Sequence, residues 1–278
     1  MKLDLSKVEI SRKDRNLGMT FPKELTKELA YLIEIHLGDG TMNHYTKYYY
    51  SIGYSGHAID EFDFYNKQIN ALFYKFFNKK LNFYKKKSKT GEYIELATQS
   101  KGIFTFFKTS LGIMPGPKTH NKIPEIIKYS NFKVYFIRGF ADSDFTLTFK
   151  KRNKDLHYYP VISLSTSNKL LLLEVNSLLD DLGLISCLTL DLPTKRYDKS
   201  HITHQMDING EKMLELWMSK IGFNSRKHLI KYLIWKKFGF CPLYSTLPQR
   251  EAILRAELDP YSFYKPLPQN LYKLCSGP

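Results

Sequence analysis

The sequence predicts an α+β protein built from two like halves, each ordered αββαββα and related by a pseudo-twofold. Helical and strand patterns recur in the same order along the chain, although residue identity between the two runs is low. Each run opens with an apolar helical pattern that stops at an acid: Asp39 in Leu32–Gly40 (LIEIHLGDG) and Asp144 in Ile137–Phe145 (IRGFADSDF). Hydrophobic residues make up 43% of the 278 and aromatics 15%, a composition for folded cores and against disorder. The implied division is 1–126 for an N-terminal arm plus the first half, 127–240 for the second half and 241–278 for a tail.

The opening residues are polar and basic (Ser11, Arg12, Lys13, Arg15) and read as an arm. Pro22 then opens a helical stretch, Glu24–Gly38, with Gly38 and Gly40 as its stop signals. Tyr48–Tyr54 is rich in strand formers. Asp60–Phe77 carries Phe64, Ile69, Leu72, Phe73 and Phe76 at helical spacing. Leu81–Lys87 and Tyr93–Thr98 read as a hairpin about Thr90-Gly91, and Lys101–Leu111 as a helix stopped by Gly112 and Pro115. A Pro- and Lys-containing linker follows, Pro115 to Pro124.

The order then returns. Lys133–Asp142 is helical, and Phe145–Lys151 with Tyr159–Ser165 forms a hairpin across a charged loop. Lys169–Leu182 is a helix ended by Gly183, Ile185–Leu192 and His201–Ile208 are strands, and Glu211–Ile221 is a helix. Arg226–Phe238 is a basic helix, and the proline-rich tail holds a short helix near Arg250–Leu258.

Lys and Arg total 42 against 27 acids, a net +15 that points to a polyanionic partner, most simply nucleic acid. Cys187, Cys241 and Cys275 are odd in number, with no CxxC, so neither a disulfide framework nor a zinc site is indicated. No apolar run is long enough to span a membrane. His201 and His204, three apart on a strand, face opposite sides and make a poor metal pair.

An acid at a helix C-terminus sits at the end of the macrodipole that favours cations. A single case is a turn residue in Gly-Asp-Gly. Two cases in one repeated frame predict a pair of metal ligands, Asp39 and Asp144.

Tyr31–Gly40 (YLIEIHLGDG) and Phe136–Asp144 (FIRGFADSD) resemble the paired motifs of LAGLIDADG homing endonucleases in their single-chain, two-motif form. The resemblance covers roughly Glu24 to Phe240. It implies that the two motif helices pack at a central interface, with the sheets forming a DNA-binding β-saddle. Small residues at motif positions three and seven, here Gly139, Gly38 and Ser143, let the backbones approach closely. The position-eight acids Asp39 and Asp144 then lie side by side and hold Mg²⁺, with Mn²⁺ or Ca²⁺ able to substitute for binding. The carbonyls of Gly38 and Ser143 assist, while Lys101, Ser167 and Asn168 tune the water network by analogy. On the saddle, Tyr48, Tyr50, Lys85, Lys87, Lys89, Lys150, Arg152 and Lys154 are the DNA-contact candidates.

The activity so implied is site-specific, metal-dependent, staggered double-strand cleavage of a long DNA target by phosphodiester hydrolysis, of mobile-intron type. The protein is expected to work as a monomer inside the cell, in cytoplasm, nucleoid or an encoding organelle. The alternative is a non-cleaving LAGLIDADG DNA-binding regulator or an RNA-splicing maturase. Two residues depart from the pattern: motif two carries Phe145 at position nine, where glycine is common but an aromatic opening a strand is tolerable, and motif one carries Glu34 where position three is usually glycine. A carboxylate there needs a partner in the seam, or turns to its edge to pair with Arg138 or another base, or marks an altered copy.

Overall fold

A computed structural model describes residues 1–46, 49–88, 91–196 and 199–264. In chain order it holds α1 (Arg12–Asn16), α2 (Lys27–Gly38), β1 (Gly40–Thr46), β2 (Tyr49–His57), α3 (Asn70–Phe77), β3 (Asn82–Ser88), β4 (Gly91–Gln99) and α4 (Lys101–Thr105). The linker helix α5 (Glu125–Lys128) leads to α6 (Lys133–Ser143), β5 (Thr146–Lys150), β6 (Tyr159–Thr166), α7 (Lys169–Asp180), β7 (Cys187–Arg196), β8 (Lys199–Asn209) and α8 (Glu211–Lys220). Then come α9 (Arg226–Phe238) and α10 (Leu247–Leu254).

The halves share one topology. The first sheet runs β1-β2-β4-β3 and the second β5-β6-β8-β7, all antiparallel, so each half has the same order of hairpins. In each sheet one face is apolar: Ile52, Tyr54, Ile94 and Leu96 in the first, Leu147, Ile162, Met206 and Ile208 in the second. That alternation turns the opposite face outward and polar. Helices cover the apolar faces, and one continuous hydrophobic cluster joins both halves.

α2 and α6 pack side by side at the centre. Gly139 makes the approach possible, because a Cβ there would lie 2.8 Å from the Tyr31 carbonyl and from Glu34 Cβ. Gly38 is equally confined, with Ser143 Oγ 2.5 Å from where its Cβ would stand. Both α2 and α6 lead straight into the first strand of their sheet, so each helix C-terminus is fixed by a sheet edge.

Three elements differ from the sequence reading. The strand β1 follows α2 at once, hidden in the sequence by the Gly-Asp-Gly turn signal. The second helix of half one begins as a π-helical turn, Phe64–Ile69, before α3, and Phe106–Ser110 continues α4 in the same way. The basic N-terminus is a docked segment rather than an arm. Leu3 and Leu25 are buried, and Phe21 packs against Phe77 and Phe106 at ring distances of 6.1 and 5.7 Å. Those few apolar anchors outweigh a polar composition.

The tail packs on the second half as far as it is described. Arg250 of α10 is buried and donates to the Lys227 carbonyl at 2.9 Å, and the His157 amide donates to Tyr264 Oη at 3.2 Å. Among the described residues no helix is long and apolar enough to cross a membrane.

Candidate active site at the motif-helix seam

Asp39 and Asp144 are the C-caps of α2 and α6, with nearly the same backbone: φ −101°, ψ −8° and φ −103°, ψ −26°. The match is the local signature of the pseudo-twofold. Asp39 is half-buried and accepts a hydrogen bond from the buried Tyr65 hydroxyl at 2.5 Å. Burial pushes its pKa up to about 6; the Tyr65 bond opposes this, and the Asp144 charge adds to it. Asp144 is exposed at its rim, yet protein crowding its inner oxygen raises its pKa too, against the pull of Lys118, Ser143 and Lys227. Its Oδ2 lies 3.2 Å from Ser143 Oγ.

Glu34 stays in the seam, fully buried, and does not turn to the edge. Arg138, the partner considered for it, donates to the Ile221 carbonyl and lies 5.4 Å from the Tyr135 ring. Glu34 Oε2 is instead 3.1 Å from Ser143 Oγ. Burial, with Asp144 and Asp39 nearby, raises its pKa well above the usual carboxylate range. A serine has one proton to give and two lone pairs to receive. The chain is satisfied when protonated Glu34 donates to Ser143 and Ser143 donates to Asp144.

Behind the acids, Asp142 locks the seam. It accepts from Tyr31 Oη at 2.7 Å on the other motif helix, and from the amides of Ser225 at 2.8 Å and Asn224 at 3.0 Å. His36 is core, bonded to Tyr54 Oη at 3.1 Å, with its pKa pushed down to about 3 by burial. Phe145, following the second acid, packs on Trp217 at 5.1 Å.

The residue that sequence reasoning missed is Lys118, in the linker. Its ammonium donates to the Gly38 carbonyl and its charge acts on Glu34, Asp39 and Asp144 alike. No periodicity marks it, since it stands in a short turn whose path is set by tertiary contacts. Asn168 supplies those contacts: Nδ2 donates to the carbonyls of Lys118 at 3.0 Å and Asn121 at 2.7 Å, while Oδ1 caps α7. Asn168 is therefore a positioning residue for the linker, because its donors and acceptor are already committed. Ser167 is exposed beside it. Lys101 pairs with Glu9 at 2.5 Å and sits 5.7 Å from the Tyr50 ring centre, so its ammonium is engaged by the N-terminal segment.

The donor set at the seam suits a hard divalent cation: carboxylates of Asp39 and Asp144, and carbonyls of Gly38 and Ser143, oxygen throughout. Among the described residues no group of three or more His, Cys, Asp or Glu assembles a protein cage. A pair of carboxylates completed by water and phosphate is the arrangement Mg²⁺ favours.

The outward sheet faces are polar rows. In half two, Thr146, Ser163, Asp207 and Cys187 stand abreast, and so do Ser165, Gln205 and Thr189. Asp207 accepts from Ser163 at 2.5 Å and from Gln205 at 2.9 Å. Lys150 shares the outward phase opposite Tyr159; Arg152 stacks 3.5 Å over that ring, and Lys154 lies 5.0 Å from the Tyr158 ring centre. In half one the register corrects the candidate lysines. Lys85 pairs with Ile94 and so points to the helix side, where it lines a cleft with Phe62 and Arg226. Lys87 has the same phase and pairs with Glu92 at 3.3 Å, whereas Lys86 faces outward. Adjacent lysines on a strand cannot share a face. Tyr50 is half-buried and stacked on His44 at 4.4 Å. Tyr48 and Lys89 fall outside the described residues.

Residues 131–222 match the family model of the LAGLIDADG-like domain. No curated protein matches the chain. Among solved structures, mesophilic variants of the homing endonuclease I-DmoI are 18% identical at a TM-score of 0.48, over 70% of this chain and 95% of that one. The homing endonuclease I-WcaI bound to its DNA recognition sequence is 15% identical at 0.49, over 76% and 87%. The LAGLIDADG homing endonuclease I-GzeII in complex with its DNA target is 10% identical at 0.49, over 90% and 96%.

Proposed function

We propose that this chain, whose residues 131–222 match the LAGLIDADG-like domain model, is a single-chain LAGLIDADG homing endonuclease that cuts both strands of a long DNA target. The observation that carries the reading is the twinned C-cap pair, Asp39 and Asp144, brought together by a helix seam between two sheets with polar outward faces. The +15 charge supports a polyanionic partner. Asp39, Asp144 and the Gly38 and Ser143 carbonyls would hold divalent metal, Mg²⁺ or Mn²⁺, with Ca²⁺ supporting binding. Such metal, when bound, supplies a hydroxide-like nucleophile and neutralises charge at the scissile phosphate.

The chain's own residues do the rest. Tyr65 orients Asp39, Ser143 orients Asp144, and Asp142 with Tyr31 keeps the two helix ends in register. Rows of Thr, Ser, Gln and Asp on the second sheet offer donors and acceptors to base edges, and Lys150 and Arg152 offer charge to phosphates. Lys118 on the Gly38 carbonyl favours a second reading, a non-cleaving DNA-binding regulator or an RNA-splicing maturase, because it occupies one of the oxygens metal would use.

Incubation with a randomised duplex library in Mg²⁺, followed by sequencing of cut ends, separates the readings. Recovery of one cleaved site, lost in Asp39→Asn and Asp144→Asn while binding persists, is the expected result. Cutting that survives either substitution rejects the assigned site. Tight binding with no cut in Mg²⁺ or Mn²⁺ favours the regulator or maturase.

A further inference from the structure

The N-terminal segment has a use that the seam chemistry leaves unexplained. Its short helix α1 is fastened rigidly. Asp14, only 1% exposed, accepts from the Gly102 amide at 3.0 Å and from Ser11 at 3.2 Å, in a capping box. The Glu9 amide donates to Thr105 Oγ1 at 2.9 Å, and Thr20 Oγ1 donates to the Phe76 carbonyl at 3.0 Å. Burying the only acid of the helix leaves its three cations, Arg12, Lys13 and Arg15, exposed.

Among the described residues none of the three forms an ion pair, while the nearby Glu9 is taken by Lys101 at 2.5 Å. Two clefts set the direction of Arg12 and Lys13; Arg15 borders neither. Lys13 and Lys79 border a cleft of about 640 Å³ whose floor is the outward face of the first sheet, including Ser51, Tyr84 and Gln99. Arg12 and Lys13 border a second, about 580 Å³, with Gln99, Ser100 and Lys101. The end of the polar sheet face is thus rimmed by Arg12 and Lys13, held on a fixed helix with no ion pair of their own, while Lys86 and Lys101 in the same clefts are paired with Glu95 and Glu9. A solvated surface needs no such anchoring, whereas a phosphate contact gains from cations already ordered before binding.

We infer that α1 is part of the nucleic-acid surface: Arg12 and Lys13 bind phosphates of the DNA duplex at the end of the tract covered by the first sheet, with Arg15 adding to the positive charge of the same helix. The inference rests on the DNA-binding reading and adds a contact that the motif halves do not contain.

The test is a salt titration of full-length protein with a fluorescent mixed-sequence DNA duplex in Ca²⁺. It compares wild type, R12Q/K13Q/R15Q, Lys13→Gln alone, and a second-half control, K150Q/R152Q. Removing the cation from one neutralised phosphate lowers the slope of log K against log salt by about 0.9. The triple variant is expected to lose roughly 2 of slope, Lys13→Gln about 0.9, and the control its own separate share. All of these substitutions are at exposed side chains, and an unchanged melting temperature checks the fold. A wild-type slope retained in the triple variant, with the control reduced, overturns the role of α1 alone. Wild type showing no salt-dependent duplex binding overturns the DNA reading and this inference together. A reduced slope on a structured RNA but not on the duplex overturns the assignment to DNA.

Discussion

Glu34→Gln should stabilise the metal-free protein at neutral pH, although it alters the centre of the seam. Glu34 is fully buried and flanked by Asp39 and Asp144, so its folded-state pKa lies well above the ordinary 4.5. A raised carboxylate pKa contributes stability that is complete below the unfolded value and is lost as pH rises toward the folded one. Above the unfolded value the unfolded chain ionises freely, while the native seam resists losing its proton. The linkage cost grows by about 1.4 kcal/mol for each pH unit above the unfolded value until the folded pKa is reached. Glutamine keeps the shape and removes that cost, but its second amide hydrogen finds no acceptor beyond Ser143 and loses about 1 to 2 kcal/mol. Where that cost spans two pH units or more the net gain is about 1 to 2 kcal/mol, near 4 °C in melting temperature for a chain of this size. Thermal melts with chelator at pH 7.5 and at pH 4.5 are the assay. The gain should vanish or reverse at the lower pH, where both states hold the proton. A variant less stable at pH 7.5, or one whose gain is equal at both pH values, refutes the protonated-seam argument.

Three further outcomes follow from neighbouring contacts. Gly139→Ala gains about 1 kcal/mol of helix propensity, but drives a methyl to 2.8 Å from the Tyr31 carbonyl, for a net loss near 1 to 2 kcal/mol in urea denaturation; unchanged stability would mean the helices do not touch there. Asp142→Asn keeps an oxygen for the Ser225 and Asn224 amides but sets its NH2 where Oδ2 accepted from Tyr31 and shared the Asn224 amide, and should cost about 2 kcal/mol, with Tyr31→Phe costing less; equal losses would deny Asp142 its central place. Lys118→Met removes a charge that lowers the pKa of Glu34, Asp39 and Asp144, so its deficit, about 1 kcal/mol, should be larger at pH 8 than at pH 5 and shrink with Ca²⁺. A deficit indifferent to both pH and Ca²⁺ would remove Lys118 from the acid cluster.

Much of the architecture was legible because it depends on local period and on repetition. α9 falls on Arg226–Phe238 as its pattern predicts, and α6 and α8 lie within a residue or two of theirs. Asp39 and Asp144 were legible as a pair because the same stop recurs in the same frame. What failed was whatever depends on register or on tertiary path. Lys85, Lys86 and Lys87 are indistinguishable in a basic run until Asn82↔Ala97 pairing fixes which one faces outward. Lys118 stands in a linker whose course is set by Asn168, fifty residues on, and no local signal joins them. The N-terminal segment read as an arm because its anchors, Leu3, Phe21 and Asp14, are scattered singly through polar sequence.

The unequal motif helices explain each other. The space beside Gly139 is occupied by Glu34, whose Cβ and Oε2 lie 2.8 Å from where a Gly139 Cβ would stand. Two copies of helix α2 could not pack this way, since each would bring a glutamate into a gap that only the other's glycine leaves open. Two copies of α6 would leave the gap empty. The seam is thus a knob and hole that exist once, across a pseudo-twofold whose backbone remains symmetric at Asp39 and Asp144. The same holds for Lys118, because the linker passes the acids only once: its ammonium bonds the carbonyl on the Gly38 side, although its charge reaches both acids. Joining the halves in one chain frees each side of the site to specialise, and here that freedom has placed a buried acid and a tethered cation around a symmetric pair of carboxylates.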